Sequence, residues 1–243
     1  MEVPGVGWAS AFQLGKGASK TLRIPMTVHA ASRQKVMAGL GAKGILDGIC
    51  LLKGGEDQNQ YDTDMEILFR QDSWFNYLFG VKEPQFYGAL SLQTKTATLF
   101  IPRLPAEYEV WCGKIQTPQY FKELYGVDEV LYVDELEAWL TKSLKTAGTG
   151  EGTGKGTGGT GTGTGDGENN GESTTSTSKI YLNQGVNSDS GLSAKPASFP
   201  GEAIFRAAEQ VCEESLFPVL AGARVTKSDQ EIEAMWYASF VAR

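Results

Sequence analysis

Apolar residues recur at helical spacing near the end of the chain, in the stretch RVTKSDQEIEAMWYASFVAR. Within it, SDQE has the pattern of a capping box: the hydroxyl of Ser228 can accept from the N–H of Glu231, whose carboxylate reaches back to the serine amide. Four apolar residues then fall on one side of a helix, namely Ile232, Met235, Trp236 and Phe240. The pattern predicts a helix that begins at Ser228 and carries a broad apolar face in need of a partner.

Helical and strand-like patterns alternate through the rest of the chain. Helices are predicted for residues 24–44, 71–80, 117–126, 134–145 and 201–216. Strands are predicted for residues 44–52, 129–133 and 179–183, and a hairpin for residues 86–101 with QTKT as its turn. In the second helix, Asp72 or Ser73 supplies the N-terminal cap and Gly80 ends it. This alternation predicts an α/β domain with a mixed sheet, because only the hairpin is plainly antiparallel.

One segment, residues 148–178, differs sharply in composition from its surroundings. It holds 12 of the 30 glycines of the chain and no large apolar residue. Because such a segment has little to bury against its ordering entropy, we expect a disordered, low-complexity loop. Its one Gly-Lys pair does not form a phosphate-binding loop, since Thr149 stands where the first glycine is needed and Gly156 follows Lys155 in place of Ser or Thr.

Composition narrows the classes of function. The chain has 243 residues, enough for one large or two small domains, and its 41% hydrophobic content can supply a substantial core. A net charge of −7 with scattered basic residues argues against nucleic-acid binding. No apolar run is long enough to span a membrane, and the N-terminus lacks the pattern of a secretory signal. Three cysteines without a CxxC pair indicate reduced thiols, and we therefore expect a cytoplasmic protein.

Candidate catalytic groups are few. His29 is the only histidine, so it cannot complete a two-histidine metal site, and a structural role on the first helix is favoured. Cys112 lies near Lys114, whose charge could lower the pKa of the thiol, but an ordinary buried cysteine is favoured. An acidic cluster could hold a divalent ion, although solvated side chains are the simpler interpretation; it comprises Asp62, Asp64 and Glu66. The residues alone give no complete catalytic constellation.

Four blocks of sequence resemble the N-terminal part of the prolidase (Xaa-Pro dipeptidase) family. They are YDTDMEILFRQDSWFNYLFGVKEPQFYGAL (61–90), TLFIPRLPAEYEVWCGK (98–114), GVNSDSG followed by ASFPG (185–201), and ARVTKSDQEIEAM (223–235). Their order matches the family. The aminopeptidase P enzymes share several of these elements, and the fit to prolidase is closer. The insert at residues 148–178 departs from the family, which has only a short connection there.

The resemblance implies a fold and a division into domains. Residues 1–223 are expected to form a creatinase/aminopeptidase P N-terminal-like domain, a ribonuclease-H-like α/β unit whose mixed sheet is flanked by helices. Residues 224–243 are expected to form a linker and the first helix of a pita-bread catalytic domain, which is the partner that the apolar face needs. In the family that domain binds two manganese ions, through ligands that would all lie beyond residue 243. We therefore expect no catalytic or metal-binding residue in this chain, and no activity of the chain alone.

The resemblance also assigns roles to individual residues. The N-terminal domain of the family helps form a homodimer and caps the active site, and a tryptophan reaches towards the active site of the other subunit. Trp111 matches that position, where its indole could pack on the proline ring of a dipeptide; a core or dimer-interface anchor is the equal alternative. Arg70 and Arg103 also match and are structural or interface candidates, with an ion pair favoured for Arg70.

Two other functions compete with a peptidase domain. The first is a stand-alone, non-catalytic dimerisation or binding module that has lost the peptidase half. The exposed apolar helix at the C-terminus counts against it. The second is a nuclease, suggested only by the ribonuclease-H-like fold; it lacks a convergent set of metal-binding carboxylates and we set it aside. The sequence leaves open whether the parent is a dipeptidase or an aminopeptidase P.

Overall fold

The computed structural model describes residues 22, 24–148 and 178–242. Within them, six strands form one sheet in the order β4-β3-β2-β1-β5-β8, and β6 and β7 form a separate two-stranded sheet. The strands are β1 (Ile49–Lys53), β2 (Tyr87–Ser91), β3 (Ala97–Ile101), β4 (Glu129–Tyr132), β5 (Ile180–Leu182), β6 (Gly185–Val186), β7 (Ser193–Ala194) and β8 (Val211–Cys212). The helices are α1 (Thr27–Ala42), α2 (Ser73–Phe79), α3 (Glu109–Cys112), α4 (Pro118–Tyr125), α5 (Leu136–Gly148), α6 (Glu202–Ala207), α7 (Leu216–Val225) and α8 (Asp229–Val241).

The large sheet is mixed, as the sequence predicts. Strand β2 is antiparallel to both of its neighbours, β1 and β3, whereas the β1–β5, β3–β4 and β5–β8 pairs are parallel. The predicted hairpin is therefore confirmed as β2 and β3. All the other strands of this sheet run in one direction, so their carboxyl ends meet at the same edge.

Helices cover both faces of the sheet and bury a separate core on each. On β1, Cys50 and Leu52 face one core while Ile49 and Leu51 face the other, as the twofold alternation of a strand requires. The first core is closed by α1, α2, α4 and α7, and the second by α5 and α6. The chain is thus a three-layer α/β/α unit, which confirms the predicted fold class.

Local signals place several helix ends correctly. The Asp72 side chain accepts from the amides of Trp74 and Phe75 at the start of α2, and Gly80 ends that helix with a φ of +65°. At the start of α8, Ser228 and Glu231 form the predicted capping box. Each of these contacts lies within a few residues of sequence, so the pattern alone is sufficient to predict it.

The single helix predicted for residues 201–216 is wrong. The structure has the short helix α6, a turn in which Glu209 adopts a φ of +55°, the strand β8, and then α7. The physical reason is a long-range pairing: Val211 and Cys212 lie beside Ile180 and Tyr181 and add a parallel strand to the sheet. That pairing overrides a local pattern that favours a continuous helix.

The predicted first strand also begins too early. Strand β1 starts at Ile49, because the preceding Gly48 has a φ of +98°, which an extended strand does not allow. The backbone of Gly48 also passes close to Lys179: a β-carbon on Gly48 would lie 2.4 Å from the Lys179 carbonyl oxygen. Most of the loop predicted for residues 148–178 lies outside the described residues. At its ends, Gly148 closes α5, and the hydroxyl of the buried Ser178 donates to Asp47.

Candidate functional site at the carboxyl edge of the sheet

The carboxyl ends of the parallel strands gather polar residues along one edge of the sheet. Strand β1 ends at Lys53, β3 leads to Arg103, β4 leads to Asp134, and β5 leads to Asn183. Ligand sites of open α/β sheets lie outside the carboxyl ends of the strands. This edge is therefore where the fold favours a functional site.

Arg103 is held in place by its neighbours. Its Nε and Nη2 donate to the two carboxylate oxygens of Asp134 at 2.8 Å and 3.2 Å, and its guanidinium carbon lies 3.6 Å from the centroid of the Tyr132 ring. The guanidinium holds the pKa of the Asp134 carboxyl below its ordinary value. Because both side chains of the ion pair are exposed, the contact fixes the loop after β3 more than it stabilises the fold.

In the FRQD motif (residues 69–72), Gln71 has a side chain that is held by hydrogen bonds at both ends of its amide. Its Oε1 accepts from the amide of Gly55 at 2.6 Å, and its Nε2 donates to the Glu83 carbonyl at 2.9 Å. Arg70 is exposed, and its guanidinium makes no hydrogen bond or ion pair within the described part of the chain. Sequence analysis missed Gln71, although its place inside a family block was the signal that could have identified it.

Trp111 lies on the short helix α3, which the chain reaches after leaving the carboxyl end of β3 through the Arg103 loop. Helix α3 ends at Gly113, which has a φ of +74°. The side chains of Trp111 and Cys112 lie outside what the structure describes, so their predicted roles remain predictions.

The junction between α7 and α8 is fixed to the domain by contacts that sequence analysis did not identify. The Arg224 guanidinium carbon lies 4.5 Å from the centroid of the Trp74 ring, and the Tyr77 hydroxyl donates to the Ala223 carbonyl at 3.2 Å. Next to them, Nζ of Lys35 donates to the Thr226 carbonyl at 2.5 Å. These contacts set the direction in which α8 leaves the domain.

Helix α8 exposes the apolar face that the sequence predicts. Met235 is 56% exposed and Trp236 is 53% exposed, and Phe240 has a similar exposure. Exposed apolar clusters of this kind mark surfaces that contact another protein segment.

His29 and Arg33 on α1 bind the last turn of α2. Nδ1 of His29 lies 3.1 Å from the Tyr77 carbonyl oxygen, and Arg33 donates to the Leu78 carbonyl at 2.9 Å. Burial has the largest effect on the pKa of His29 and lowers it below its ordinary value. The sole histidine is therefore a structural group, as the sequence predicts.

We expect His29 to make stability depend on pH. The pKa of His29 has its ordinary value of 6.5 in the unfolded chain and a lower value in the folded chain. Below pH 6.5 the unfolded state therefore binds more protons than the folded state, and the free energy of unfolding falls as the pH is lowered. The free energy of unfolding, measured with urea between about pH 7.5 and about pH 5.5, should decrease towards low pH, since carboxylates titrate mainly below this range. His29→Gln should flatten the slope, because it removes the only histidine. An unchanged slope in the variant would contradict the assignment.

No metal centre forms among the described residues. Nowhere in them do three His, Cys, Asp or Glu side chains come together, and the acidic cluster Asp62, Asp64 and Glu66 is exposed. These residues do not fit a pair of manganese ions. Within the same ranges, no helix is long and apolar enough to cross a membrane. Cys50 and Cys212 are free thiols, and burial raises the pKa of Cys50.

Comparisons with known proteins agree on one family. Residues 29–150 match the model of "Aminopeptidase P, N-terminal domain". The Xaa-Pro dipeptidases of Pongo abelii and Homo sapiens are each 34% identical to the chain over 234 residues. These matches cover 96% of the chain but only 40% of either relative.

A solved structure supports the fold. The "putative aminopeptidase P" from Bacillus anthracis superposes with a TM-score of 0.57 at 19% identity, over 86% of this chain and 42% of that one. At this identity the likeness shows the fold alone. The family model and the relatives agree, and the fold is consistent with them. The chain therefore belongs to the aminopeptidase P N-terminal domain family, and the Xaa-Pro dipeptidases are similar to it along almost its whole length.

Proposed function

We propose that this chain is the non-catalytic N-terminal domain of a manganese-dependent peptidase that cleaves Xaa-Pro bonds, of the dipeptidase type. The observation that carries the proposal is the 34% identity to Xaa-Pro dipeptidases over 96% of the chain, which includes the α7–α8 junction. The matched part is only 40% of either relative, and we propose that the metal site and the peptide chemistry lie in the additional sequence.

The proposed role of the domain is to form a homodimer and to cap the active site. The Arg103–Asp134 pair fixes the loop that leads to α3, and this arrangement supports a role in which Trp111 is presented at a defined place. An indole offers a flat apolar face to a proline ring and one N–H donor to orient a polar end. Trp111 is thus proposed to contact substrate in the active site of the other subunit.

Helix α8 is proposed to pack against a C-terminal pita-bread catalytic domain. Its apolar face is exposed in this domain, while its start is anchored by the capping box and by the Lys35–Thr226 contact. A helix that is held at one end and apolar along one side is suited to joining two domains. The alternative, a stand-alone binding module, leaves that face uncovered.

The first experiment is to measure the size of the native polypeptide in its source cells with an antibody raised against residues 1–147. The expected result is a band well above the 26.2 kDa of this chain. That longer protein, once purified, should hydrolyse Gly-Pro, lose activity on chelation and regain it with manganese. A sole band at 26.2 kDa would overturn the peptidase proposal and leave the binding module.

In the longer protein, Trp111→Ala is expected to raise KM for Gly-Pro by about tenfold with a smaller change in kcat, because one aromatic contact to substrate is lost. Trp111→Phe should recover part of the loss, since a flat ring remains. Trp111→Ala subunits can be mixed with subunits that keep Trp111 but carry an inactive catalytic domain. In the mixed dimer the only working active site faces an intact Trp111 from the other subunit, so a contact made across the dimer should restore a low KM. A KM unchanged in Trp111→Ala would assign the residue to the core or the interface.

A further inference from the structure

A two-stranded hairpin, the arm (residues 56–68), follows the carboxyl end of β1. Its strands are joined by two hydrogen bonds: the Ile67 amide donates to the Gln58 carbonyl at 2.8 Å, and the Gln60 amide donates to the Met65 carbonyl at 2.7 Å. All thirteen residues of the arm are exposed. The described part of the domain therefore leaves this hydrogen-bonded element uncovered.

The base of the arm is held by close contacts. Oε1 of Gln71 accepts from the amide of Gly55 at 2.6 Å, and the carbonyl of Gly55 accepts from the amide of Gln85 at 2.8 Å. A β-carbon on Gly55 would lie 3.1 Å from a ring carbon of Phe69. The chain on either side of the arm is thus fixed to the loop that precedes β2, so the domain sets the direction in which the arm projects.

The returning strand of the arm has a backbone edge that faces outward. Glu66 lies opposite Asn59 between the two hydrogen bonds, so its amide and carbonyl point away from the first strand. Such an edge pairs readily with another strand. A two-stranded hairpin alone is only marginally stable in water, whereas further strands that cover an apolar face stabilise it. The geometry therefore favours a β-strand as the partner of the arm.

The side chains of the returning strand and the residues after it alternate between two faces. The odd-numbered positions are all apolar: Met65, Ile67 and Phe69. The even-numbered positions begin with a carboxylate and end with a guanidinium: Asp64, Glu66, Leu68 and Arg70. An antiparallel copy of the same strand is complementary to both faces, because apolar side chains meet apolar side chains and each acidic end meets a basic end. The strand that fits the arm best is therefore the arm of a second copy of this chain.

We propose that two copies of this chain pair through their arms, with the returning strands antiparallel and related by a twofold axis. The register places Ile67 opposite Ile67 of the second copy. It also places Asp64 of each copy opposite Arg70 of the other, so that this contact occurs twice, as an interface between identical surfaces requires. Arg70 is exposed and makes no hydrogen bond or ion pair within the described part of its own chain, so its guanidinium is available for the contact.

The position of the arm agrees with the proposed function, on whose homodimer this pairing rests. The arm follows β1 and the loop of Arg103 follows β3, and both leave the carboxyl edge of the sheet with β2 between them. Neighbouring strands lie about 4.8 Å apart, so the two segments begin about 10 Å from each other. Pairing of the arms therefore brings the segment that carries Trp111 close to the second copy.

Sedimentation velocity of the 243-residue chain tests the pairing. Each arm supplies thirteen residues, about half of the roughly 20–30 that a partner gives to a standard interface, so a monomer–dimer equilibrium is expected between about 1 and 100 µM. Ile67→Asp should weaken dimerisation at least about tenfold, because two carboxylates then face each other. Trp236→Ser, on the exposed face of α8, should leave dimerisation unchanged. The proposal is overturned if the chain is monomeric at about 100 µM, or if Trp236→Ser dissociates the dimer and Ile67→Asp does not.

A cysteine at the twofold axis tests the register. Ile67→Cys should form a disulfide-linked dimer with oxidised glutathione as the oxidant, because opposed residues of a non-hydrogen-bonded pair have Cα atoms about 4.5 Å apart, within the range of a disulfide. Leu192→Cys is the matched control, since Leu192 is 72% exposed and lies outside the arm. Equal cross-linking of the two variants would contradict the register.

A charge exchange tests the contact between Asp64 and Arg70. Asp64→Lys and Arg70→Glu should each weaken dimerisation, since each variant brings like charges together in its own dimer. An equimolar mixture of the two variants should dimerise as the wild type does, because both contacts of the mixed pair then join opposite charges. A mixture that dimerises no better than either variant alone would rule out the pairing. None of these measurements records hydrolysis, so their failure leaves the peptidase assignment to the Gly-Pro assay of the longer protein.

Discussion

Replacing Arg33 with methionine is expected to lower the free energy of unfolding by about 3 kcal/mol. Arg33 is only 6% exposed, yet it carries a positive charge between α1 and the ends of α2 and α4. Burial lowers the pKa of its guanidinium, but an arginine remains protonated in a folded protein. The charge is tolerated because backbone oxygens accept its hydrogen bonds.

The expected loss follows from what Arg33 joins. Its Nη1 donates to the Leu78 carbonyl at 2.9 Å and its Nη2 donates to the Gly126 carbonyl at 3.0 Å. Leu78 lies in the last turn of α2, and Gly126 ends α4, where helices leave carbonyl groups without internal partners. Methionine fills a similar volume but donates nothing, so two carbonyls lose their donor.

The measurement is urea denaturation of the single variants. Arg33→Lys should lose an intermediate amount, because a single ammonium cannot bridge both carbonyls as the planar guanidinium does. Arg206 offers a matched control: it is 41% exposed and pairs with Glu202 and Glu213, so Arg206→Met should cost less than about 1 kcal/mol. If Arg33→Met and Arg206→Met lower the free energy of unfolding equally, the buried charge of Arg33 does not hold α1, α2 and α4 together.

Short-range chemistry explains what the sequence could predict. The cap of α2 by Asp72, the φ of +65° at Gly80 and the capping box of α8 each involve residues within a few positions of one another. The alternation that places Cys50 and Leu51 on opposite faces of β1 is likewise local. For these features the residue types alone impose the geometry.

Long-range contacts explain what it could not predict. Val211 and Cys212 form a strand only because β5 lies beside them, and Arg224 gains its role only because α7 packs near Trp74. The helix α7 was not predicted, although its Pro218 falls in the first turn, where proline is tolerated. Such positions depend on residues far away in the chain, which periodicity does not report.

The residues of the candidate site also differ in whether short-range or long-range contacts determine their positions. Arg103 could be selected from its motif, but Asp134, whose carboxylate accepts its hydrogen bonds, lies outside the four family blocks. Asn183 carried no signal at all, since a single asparagine after a strand is common; only the fold shows that its buried Oδ1 has no hydrogen-bond partner among the described residues. The family blocks identify the loop of Arg103, and only the fold shows which side chains from other parts of the chain lie beside it.

Gly88→Ala is expected to lower the free energy of unfolding by about 3 kcal/mol, the upper part of the range for an overpacked core. Gly88 is the second residue of β2, and a β-carbon there would lie 2.3 Å and 2.5 Å from two ring carbons of Phe79. Phe79 is fully buried and packs beside Phe75 with ring centroids 5.0 Å apart, so it cannot move aside without displacing its neighbour. Urea denaturation of the variant measures the loss.

A double-mutant cycle tests whether the ring is the cause. Phe79→Leu removes the atoms that the new methyl group would strike, so Gly88→Ala should cost less in that background, with a coupling of about 1–2 kcal/mol. Gly222→Ala is the matched control: Gly222 lies within α7, a β-carbon there would meet nothing within 4 Å, and alanine should stabilise the chain by about 0.5–1 kcal/mol through helix propensity. Strict additivity of Gly88→Ala and Phe79→Leu would mean that backbone conformation, and not the close approach of the Phe79 ring, requires glycine at this position.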